Sequence, residues 1–394
     1  MRAIGVVTGS RSDYGLLVPL LREVVDDPSF ALSLLVTGMH LSPEFGLTVR
    51  DIEADGFRVE DRVEMLLSSD TPAAVAKSMG LGTIGFAQVY ARRRPDVLVV
   101  LGDRFEMHAA ALAALPFKIP VAHLHGGEST EGAFDDALRH SITKLSHLHF
   151  VATDEYGRRL IRMGEEPWRV TVSGALGLDN LRAVKLLERG ELETRIGLSL
   201  QRSPILVTFH PVTLEYEQTD RHIGELLAAL RGFELPIVFT MPNADTNSRV
   251  IAKRMREFAT THAGARLVDN LGTQGYFSLM AQAAVMVGNS SSGIIEAMSF
   301  QLPVVNIGIR QAGRMRPENV LDVGCSQEEI VAGLRKALAP ETKERLKGQA
   351  NPYGDGHAAC RIVARLKAVP LDSRLVRKRL AVAESPPRPN RGQG

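Results

Sequence analysis

Two short apolar runs, Val97–Leu101 and Ile119–Leu124, constrain the fold of this 394-residue chain more than any other feature. Neither run alternates with polar residues, and the segment between them, Glu106–Leu115, has the length of a helix. Strands that are apolar on both faces and joined through a helix are typical of a buried parallel sheet. Because ligands bind beyond the carboxyl ends of such strands, the loops after both runs predict a catalytic crevice.

These two loops are rich in groups that can carry protons. The first loop and the second run with its loop together supply Asp103, Arg104, Glu106, His123, His125, Glu128, Asp135, Asp136 and Arg139. A buried acid near a second acid has a raised pKa and can hold or take a proton near neutrality. Two structural alternatives remain open: a strand-end cap for Asp103, and helix capping by Asp135 or Asp136 with Arg139 as a local ion-pair partner.

Strand and helix patterns alternate along the chain and restart after a connector, Gly174–Gly190. The pattern predicts two Rossmann-like α/β domains facing each other across a cleft that holds the active site. We expect residues 1–175 to carry the catalytic acids and residues 176–355 to bind a nucleotide. A helix within residues 356–372 is expected to pack back toward the N-terminal domain, and the polar, Pro-rich tail, residues 373–394, to be largely disordered.

The composition gives no reason to expect a macromolecular partner. The formal net charge is +2 and charged residues make up 23% of the chain, so neither a nucleic-acid nor a membrane partner is indicated. We find no signal peptide and no apolar run long enough to span a membrane. Two cysteines, Cys325 and Cys360, are too few for a disulfide framework or a zinc cluster and fit a reduced, cytoplasmic location.

The strongest phosphate signal is the run Gly288–Gly293, which follows the apolar strand AAVMV and opens a helix predicted at Gly293–Phe300. Backbone amides at a helix start, together with the hydroxyls of Ser290, Ser291 and Ser292, suit a diphosphate. Glu296 lies one turn further on and can meet ribose hydroxyls. A helix cap with a capping-type glutamate is the alternative, but three serines exceed what a cap needs.

A second strand–loop–helix junction, Thr8–Asp13, offers Arg11 as a counter-ion for a diphosphate. An ordinary turn with Ser12 or Asp13 capping the helix explains the same residues. The run GSRSDYG does not match the GxGxxG fingerprint, which weakens the case for a nicotinamide cofactor.

Imidazoles and arginines complete the candidate residues. His210 directly follows an apolar strand, and it suits either proton transfer and stabilisation of a leaving phosphate or a purely structural position. His123 and His125 alternate and would point the same way in a strand, but no third ligand has convincing spacing, so we expect no metal. A basic patch after the strand Val304–Ile307 suits phosphate or forms a solvated loop; it consists of Arg310, Arg314 and Arg316.

Seven motifs occur in a fixed order: GSRSDYG, GDRFE, HLHGGE…DDALRHSITKLSH, FHPVT, PNAD, GNSSSGIIEA and RQAGR…ENVLDV. Together they resemble the hydrolysing UDP-N-acetylglucosamine 2-epimerases of the sialic-acid and legionaminic-acid pathways, including those that act on UDP- or GDP-linked diacetylbacillosamine. The resemblance spans roughly Ala3 to Val323. It implies the two-domain glycosyltransferase-B-like fold.

The resemblance also implies a reaction. A base removes the C2 proton of a bound nucleotide-diphospho-2-acetamido sugar while the nucleoside diphosphate leaves C1, giving a 2-acetamidoglucal. Water then adds at C1 and C2 is reprotonated from the other face, so the product is a free sugar with inverted C2, such as N-acetylmannosamine or a 2,4-diacetamido-6-deoxy analogue. No cofactor is implied, and a homodimer or homotetramer is expected.

Residue by residue, the resemblance assigns roles to the candidates above. Asp103 and Asp135 match the family's acid–base carboxylates, and His210 matches its catalytic histidine. The matched or expected binding residues are Arg11, Arg139, Asn243, Ser290, Ser291, Ser292, Gly293, Glu296, Arg310 and Arg314. Because the C2 proton is weakly acidic, cationic and amide groups among these must assist expulsion of the diphosphate.

One position departs from the family pattern. Relatives usually read His-x-Glu-Gly-Gly-Glu with a catalytic first glutamate, whereas His125 stands there in the segment His123–Glu128, a substitution expected in relatives that act on modified sugars. Either His125 transfers the proton, or Glu128 swings in, or the carboxylate's task is absent. The last case would leave a nucleotide-sugar hydrolase that does not epimerise; a non-hydrolysing 2-epimerase is a further alternative.

Overall fold

The computed structural model describes residues 1–69, 71–129, 135–242, 248–269 and 271–381. They divide into two compact units. The first comprises the described residues of Met1–Glu128, Phe134–Gly174 and Ala359–Gly394, and the second those of Ser129–Ala133 and Ala175–Ala358. Among the described helices, none combines the length and the apolar character that crossing a membrane requires.

The first unit is built on a seven-stranded sheet in the order β3-β2-β1-β4-β5-β6-β7, with every neighbouring pair parallel. Its strands are β1 (Arg2–Thr8), β2 (Phe30–Thr37), β3 (Val59–Val63), β4 (Val97–Leu101), β5 (Val121–Leu124), β6 (Leu148–Val151) and β7 (Val170–Val172). Its first six helices are α1 (Arg11–Asp26), α2 (Val49–Ala54), α3 (Pro72–Arg92), α4 (Phe105–Ala114), α5 (Asp135–Leu145) and α6 (Asp154–Arg162).

The central strand β4 is buried along its whole length, as its uninterrupted apolar sequence predicts. Strand β5 starts two residues later than predicted, at Val121, because Pro120 has no N–H to donate to a ladder. The strand order reverses between β1 and β4, and such a switch point is where parallel sheets bind ligands.

The second unit holds a six-stranded parallel sheet in the order β10-β9-β8-β11-β12-β13. Its strands are β8 (Ile205–Thr208), β9 (Ile237–Thr240), β10 (Ala265–Val268), β11 (Val285–Gly288), β12 (Val304–Ile307) and β13 (Val320–Val323). Its helices are α7 (Gly177–Ala183), α8 (Arg189–Ile196), α9 (Thr219–Leu230), α10 (Ser248–Thr261), α11 (Gly272–Gln282), α12 (Ser291–Ile295), α13 (Gln327–Leu338) and α14 (Pro340–Leu346). The predicted fold class, two parallel α/β domains, is confirmed.

The last described residues, 359–381, belong to the first unit. Helix α15 (Ala358–Ala368) starts at the last residue of the second unit, and its Lys367 Nζ lies 2.8 Å from Asp27 Oδ2 at the end of α1. The segment predicted to be largely disordered instead begins with an ordered stretch, residues 373–381, that includes helix α16 (Ser373–Val376) and the buried Leu375. The rest of that segment, residues 382–394, lies outside the described residues.

Candidate active site

The loops that follow β4 and β5 meet at the carboxyl edge of the first unit's sheet. Gly102, at φ +76°, turns the chain out of β4 so that Asp103 and Arg104 follow directly. Arg139 of α5 reaches into this loop: its Nη2 donates to Asp103 Oδ2, and its Nη1 donates to the backbone carbonyl of His125 at 2.8 Å. One buried guanidinium therefore joins α5 to both loops. The sequence suggested a local ion pair of Arg139 with Asp135 or Asp136 and did not predict its long-range partner, Asp103.

Asp135 is the first residue of α5. Burial raises the pKa of its carboxyl, and the negative charge of Asp103 adds to that rise, while Arg104 and Arg139 oppose it. Asp135 therefore holds a proton more readily than a free aspartate. This is the behaviour expected of one member of an acid–base carboxylate pair.

His125 lies beyond β5 in the left-handed region, at φ +61°, where non-glycine residues are uncommon. Its amide donates to the carbonyl of Phe150 at 2.9 Å, and its Nδ1 lies 2.7 Å from Glu128 Oε1. Gly127 permits this loop, because a Cβ there would sit 2.7 Å from the carbonyl oxygen of Tyr156. The imidazole is thus oriented by a buried carboxylate, the arrangement in which a general base is held in one tautomer.

His123 and His125 do not project to the same side of a strand, as the sequence predicted, because β5 ends at Leu124. The His123 ring instead donates from Nε2 to the carbonyl of Gly102 at 2.7 Å. Within the described ranges, no group of three or more His, Cys, Asp or Glu side chains is arranged to hold a metal ion.

Two further buried carboxylates, Glu106 and Asp13, lie beside Arg104; the sequence placed Glu106 in the predicted crevice and indicated only a possible helix cap for Asp13. Arg104 Nη2 donates to Glu106 Oε1 at 2.8 Å, and Arg104 Nε lies 3.7 Å from Asp13 Oδ2. Burial raises the pKa of Asp13 to about 6, with Arg104 opposing the rise. The helix cap here is Ser10, not Ser12 or Asp13, since the Ser10 hydroxyl accepts from the Asp13 amide. The sequence pattern could have indicated this position, because Asp13 lies one turn before Leu17 on the buried face of α1. Carboxylates are rarely buried there unless they have a partner.

Arg11 is the first residue of α1 and is exposed. We call the group formed by Asp103, His125, Glu128, Asp135 and Arg139 the acid–base cluster. All five belong to the first unit.

In the second unit, the serine run follows β11 at a tight backbone crossing. Gly288 has φ +143°, and a Cβ there would lie 2.0 Å from the carbonyl oxygen of Thr208. Ser290 caps α12, its hydroxyl accepting from the Ser292 amide at 3.3 Å, so the capping alternative is realised in part. Ser292 Oγ in turn lies 2.7 Å from the hydroxyl of Tyr276. The helix predicted at Gly293–Phe300 is wrong: α12 stops at Ile295 and a 3₁₀ turn, Ala297–Phe300, follows.

A cavity of about 450 Å³ opens beside these serines, within the size range of small-molecule sites. We call it the serine cavity. The residues predicted to bind substrate or nucleotide that line it are Ser290, Ser291, Ser292 and Arg310, and the predicted catalytic residue His210 lines it as well. Gly293 is buried in α12, and Glu296 and Arg314 do not line the cavity.

His210 is fixed by Asn289, whose Oδ1 accepts from the His210 amide at 2.8 Å and whose Nδ2 donates to the His210 carbonyl at 2.9 Å. Burial, together with the nearby charge of Arg310, lowers the pKa of the imidazole to about 3. The imidazole is therefore expected to be neutral at pH 7, which favours stabilisation of a leaving phosphate by hydrogen bonding over storage of a proton. A neutral imidazole can still donate one hydrogen bond to a ligand without changing its charge.

Glu296 is held in an uncharged state more readily than a free glutamate. Burial raises its pKa to about 7, while Arg314 opposes the rise. Its Oε2 is buried without a hydrogen-bond partner among the described residues, so it is available to accept a hydrogen bond from a ligand hydroxyl.

In the basic patch, Arg316 Nε lies 3.0 Å from Asp322 Oδ2 and has a structural role. Asn243 lies outside the described residues.

Comparisons with known proteins identify the family. Residues 22–367 match the family described as UDP-N-acetylglucosamine 2-epimerase. The chain is 40% identical, over 96% of its length and 99% of the relative's, to a UDP-N,N'-diacetylbacillosamine 2-epimerase (hydrolyzing) from Legionella pneumophila. It is 41% identical, over 82% of its length and 84% of the relative's, to a GDP/UDP-N,N'-diacetylbacillosamine 2-epimerase (hydrolyzing) from Campylobacter jejuni.

Solved structures share the fold. The UDP-GlcNAc 2-epimerase from Neisseria meningitidis, crystallised with UDP-GlcNAc, superposes with a TM-score of 0.78 at 20% identity, covering 93% of this chain and all of that one. The two parallel α/β domains are thus of the glycosyltransferase-B-like kind found in such epimerases.

Proposed function

We propose that this chain, which belongs to the UDP-N-acetylglucosamine 2-epimerase family, is a hydrolysing nucleotide-sugar 2-epimerase. Its substrate is a UDP- or GDP-linked 2,4-diacetamido-6-deoxy sugar of the diacetylbacillosamine type. The observation that carries this proposal is the 40% identity to a hydrolysing epimerase named for that sugar, over nearly the whole of both chains. The same family relationship ranks UDP-N-acetylglucosamine as the second substrate to test.

The acid–base cluster supplies groups for the proton steps. A base takes the proton from C2, the C–H electron pair forms the C1–C2 double bond, and the C1–O bond breaks to release the nucleoside diphosphate. Water then adds its oxygen to C1 while a proton is delivered to the opposite face of C2. Asp103, tied to Arg139, is suited to the first task, and Asp135, whose pKa is raised, is suited to carrying a proton.

His125 takes the place of the family glutamate. Its hydrogen bond to Glu128 supports the first of the three sequence alternatives, in which the imidazole transfers the proton and the carboxylate orients it. The buried position of Glu128 leaves it as a partner of the ring and not as a free acid. Hydrolysis without epimerisation is the outcome expected if this imidazole does not act.

Groups of the second unit are suited to the leaving diphosphate. Arg310 offers positive charge, the serine hydroxyls offer hydrogen bonds, and the neutral His210 ring offers a further donor. Donors placed where negative charge develops lower the barrier most when water is excluded. We assign Glu296 to the ribose hydroxyls, and Arg11, Arg314, Gly293 and Asn243 to the nucleotide end of the substrate.

Three further expectations belong to the same proposal. They are a cytoplasmic location, assembly as a homodimer or homotetramer, and a product that feeds sialic- or legionaminic-acid synthesis.

The test is a panel of UDP- and GDP-linked 2-acetamido sugars, incubated in heavy water and followed by NMR. We expect a free sugar with inverted C2 that carries deuterium at C2, together with nucleoside diphosphate. Nucleoside diphosphate released with an unlabelled, uninverted sugar would instead identify a hydrolase. Epimerisation with the nucleotide still attached would identify a non-hydrolysing epimerase.

A further inference from the structure

The last described residues form a strap on the first unit. We define the C-terminal strap as residues 371–381, which include α16. A fully buried guanidinium holds it: Arg169 donates to the backbone carbonyls of Arg374, Leu375 and Arg377 at 2.8–3.1 Å. Its Nε also pairs with Glu166 Oε2 at 2.7 Å, but three of its donor contacts are made to the strap, and a buried donor that loses its acceptor is costly. The strap is therefore integral to the unit.

Lys378 extends from the strap to the C-terminal end of α5. Its Nζ donates to the carbonyls of Thr143 and Lys144 at 2.8 and 3.0 Å, and it lies 2.7 Å from Glu165 Oε2. The last carbonyls of a helix lack hydrogen-bond partners within the helix, and a positive charge at this end interacts favourably with the helix dipole. Lys378 thus caps the helix that carries Asp135 and Arg139.

Glu165 is a fully buried carboxylate that depends on this lysine. Its other partners are Lys144, at 2.9 Å and itself partly exposed, and the Nε2 atom of the buried His149, also at 2.9 Å. Removing Lys378 would take away one of the two lysines that compensate this buried charge and would leave only the more exposed Lys144. Loss of Lys378 would therefore disturb Glu165 and His149 together.

Two contacts lead from this network to the acid–base cluster. His149 is paired in register with His123 across β5 and β6, and His123 donates to the carbonyl of Gly102, the residue before Asp103. On α5, the hydroxyl of Thr143 donates to the carbonyl of Arg139 at 3.1 Å and lies 3.4 Å from the His123 ring. The strap is thus joined to the groups on both sides of the Asp103–Arg139 ion pair.

We infer that Lys378 is a positioning residue for the reaction. By capping α5 and compensating Glu165, it fixes the position of α5, and so sets where Arg139 holds Asp103 and where Asp135 lies. The inference rests on the proposed function for its kinetic readout, but the helix position can be measured without turnover.

The kinetic test compares Lys378→Met, Lys378→Arg and Lys367→Met in the full chain, with UDP-linked diacetylbacillosamine as substrate. Lys367→Met is the matched control, since it removes an exposed ion pair from the same end of the chain. A shift of about 1 Å in a catalytic group can cost up to about a hundredfold, so we expect kcat of Lys378→Met to fall at least tenfold with KM changed less than about threefold. Lys378→Arg should recover most of kcat, and Lys367→Met should match the parent.

Unchanged kcat in Lys378→Met, or a loss expressed only in KM, would overturn the inference. If Lys378→Met does not fold, the double variant Glu165→Gln/Lys378→Met is assayed in its place, because it also removes the negative charge of Glu165. A double variant with parental kcat would equally overturn the inference, because it lacks the α5 cap.

Hydrogen exchange separates this inference from the proposed function. If the parent protein turns over none of the nucleotide sugars, the proposed function fails, but the amides of α5 can still be followed. We expect faster exchange across residues 135–145 in Lys378→Met, parental exchange in Lys367→Met, and recovery in Lys378→Arg. Parental exchange in all three would remove Lys378 from its positioning role.

Discussion

The acid–base cluster and the serine cavity are built on similar parallel sheets but manage charge in opposite ways. In the cluster, polar side chains are paired with one another, as in the ion pair of Asp103 with Arg139 and the hydrogen bond between His125 and Glu128. In the cavity region, burial opposes the charged form of single groups: it lowers the pKa of His210 to about 3 and raises the pKa of Glu296 to about 7. Fixed pairs suit groups that exchange protons, whereas neutral donors and one arginine suit a dianionic ligand.

The largest effect is expected in the cluster. Asp103→Asn removes the proposed base while preserving shape, so we expect kcat to fall by about a thousandfold, within the range for a lost general base. UDP affinity, measured by calorimetry, should change less than threefold if the cluster acts on the sugar alone. Asp61→Asn, at the edge strand β3, is the matched control. A kcat near the parent's would remove Asp103 from the mechanism.

Next in size is the loss of the neutral imidazole. His210→Gln removes a donor toward the leaving diphosphate, and we expect kcat to fall by about a hundredfold, as for other lost transition-state donors. Because its pKa is about 3, His210 should contribute no limb to the rate profile between pH 5 and 9. Steady-state rates across that range test both points, with His262→Gln as the control. A profile limb near pH 6.5 that vanishes in His210→Gln would contradict the neutral imidazole.

A smaller effect should sharpen the role of the substituted position. His125→Glu restores the family's usual glutamate, and we expect about a tenfold gain in kcat/KM for UDP-N-acetylglucosamine relative to the diacetamido substrate, the scale at which one side-chain contact discriminates substrates. Competition assays with both substrates measure this ratio. If the variant loses activity on both equally, the imidazole serves proton transfer only.

The smallest effect concerns Glu296. Its pKa is raised from 4.5 to about 7, so the folded protein binds a proton that the unfolded chain has released between those values. Stability from this group is therefore full below pH 4.5 and is lost as pH rises through 7. If the carboxylate accepts from ribose hydroxyls, UDP affinity should instead rise a few-fold from pH 6 to pH 8.

Calorimetry of UDP binding at both pH values measures the change. Glu296→Gln should abolish the pH dependence, and Glu257→Gln, on the exposed face of α10, should keep it. An identical pH dependence in Glu296→Gln and the parent would exclude this assignment.

Sequence patterns predicted most of the strands in both sheets, because the strands of a parallel sheet are buried on both faces and are therefore apolar throughout. Strands β4 and β12 have the predicted bounds. Strand β3 was missed, since its sequence VEDRV is charged and it becomes a strand only by pairing with β2 at the sheet edge. The helix after Gly293 was predicted too long, because periodicity does not reveal that α12 gives way to a 3₁₀ turn.

By itself, the sequence determined the two parallel α/β domains and the family, because burial patterns and ordered motifs are local properties of the chain, and it predicted which loops carry chemistry. Only the tertiary structure decided the partners and charge states: that Arg139 holds Asp103, that Glu128 orients His125, that Asp13 is buried beside Arg104, and that Lys378 reaches α5. Such contacts join residues distant in sequence, and pKa shifts depend on burial and neighbouring charge, neither of which spacing along a chain can specify.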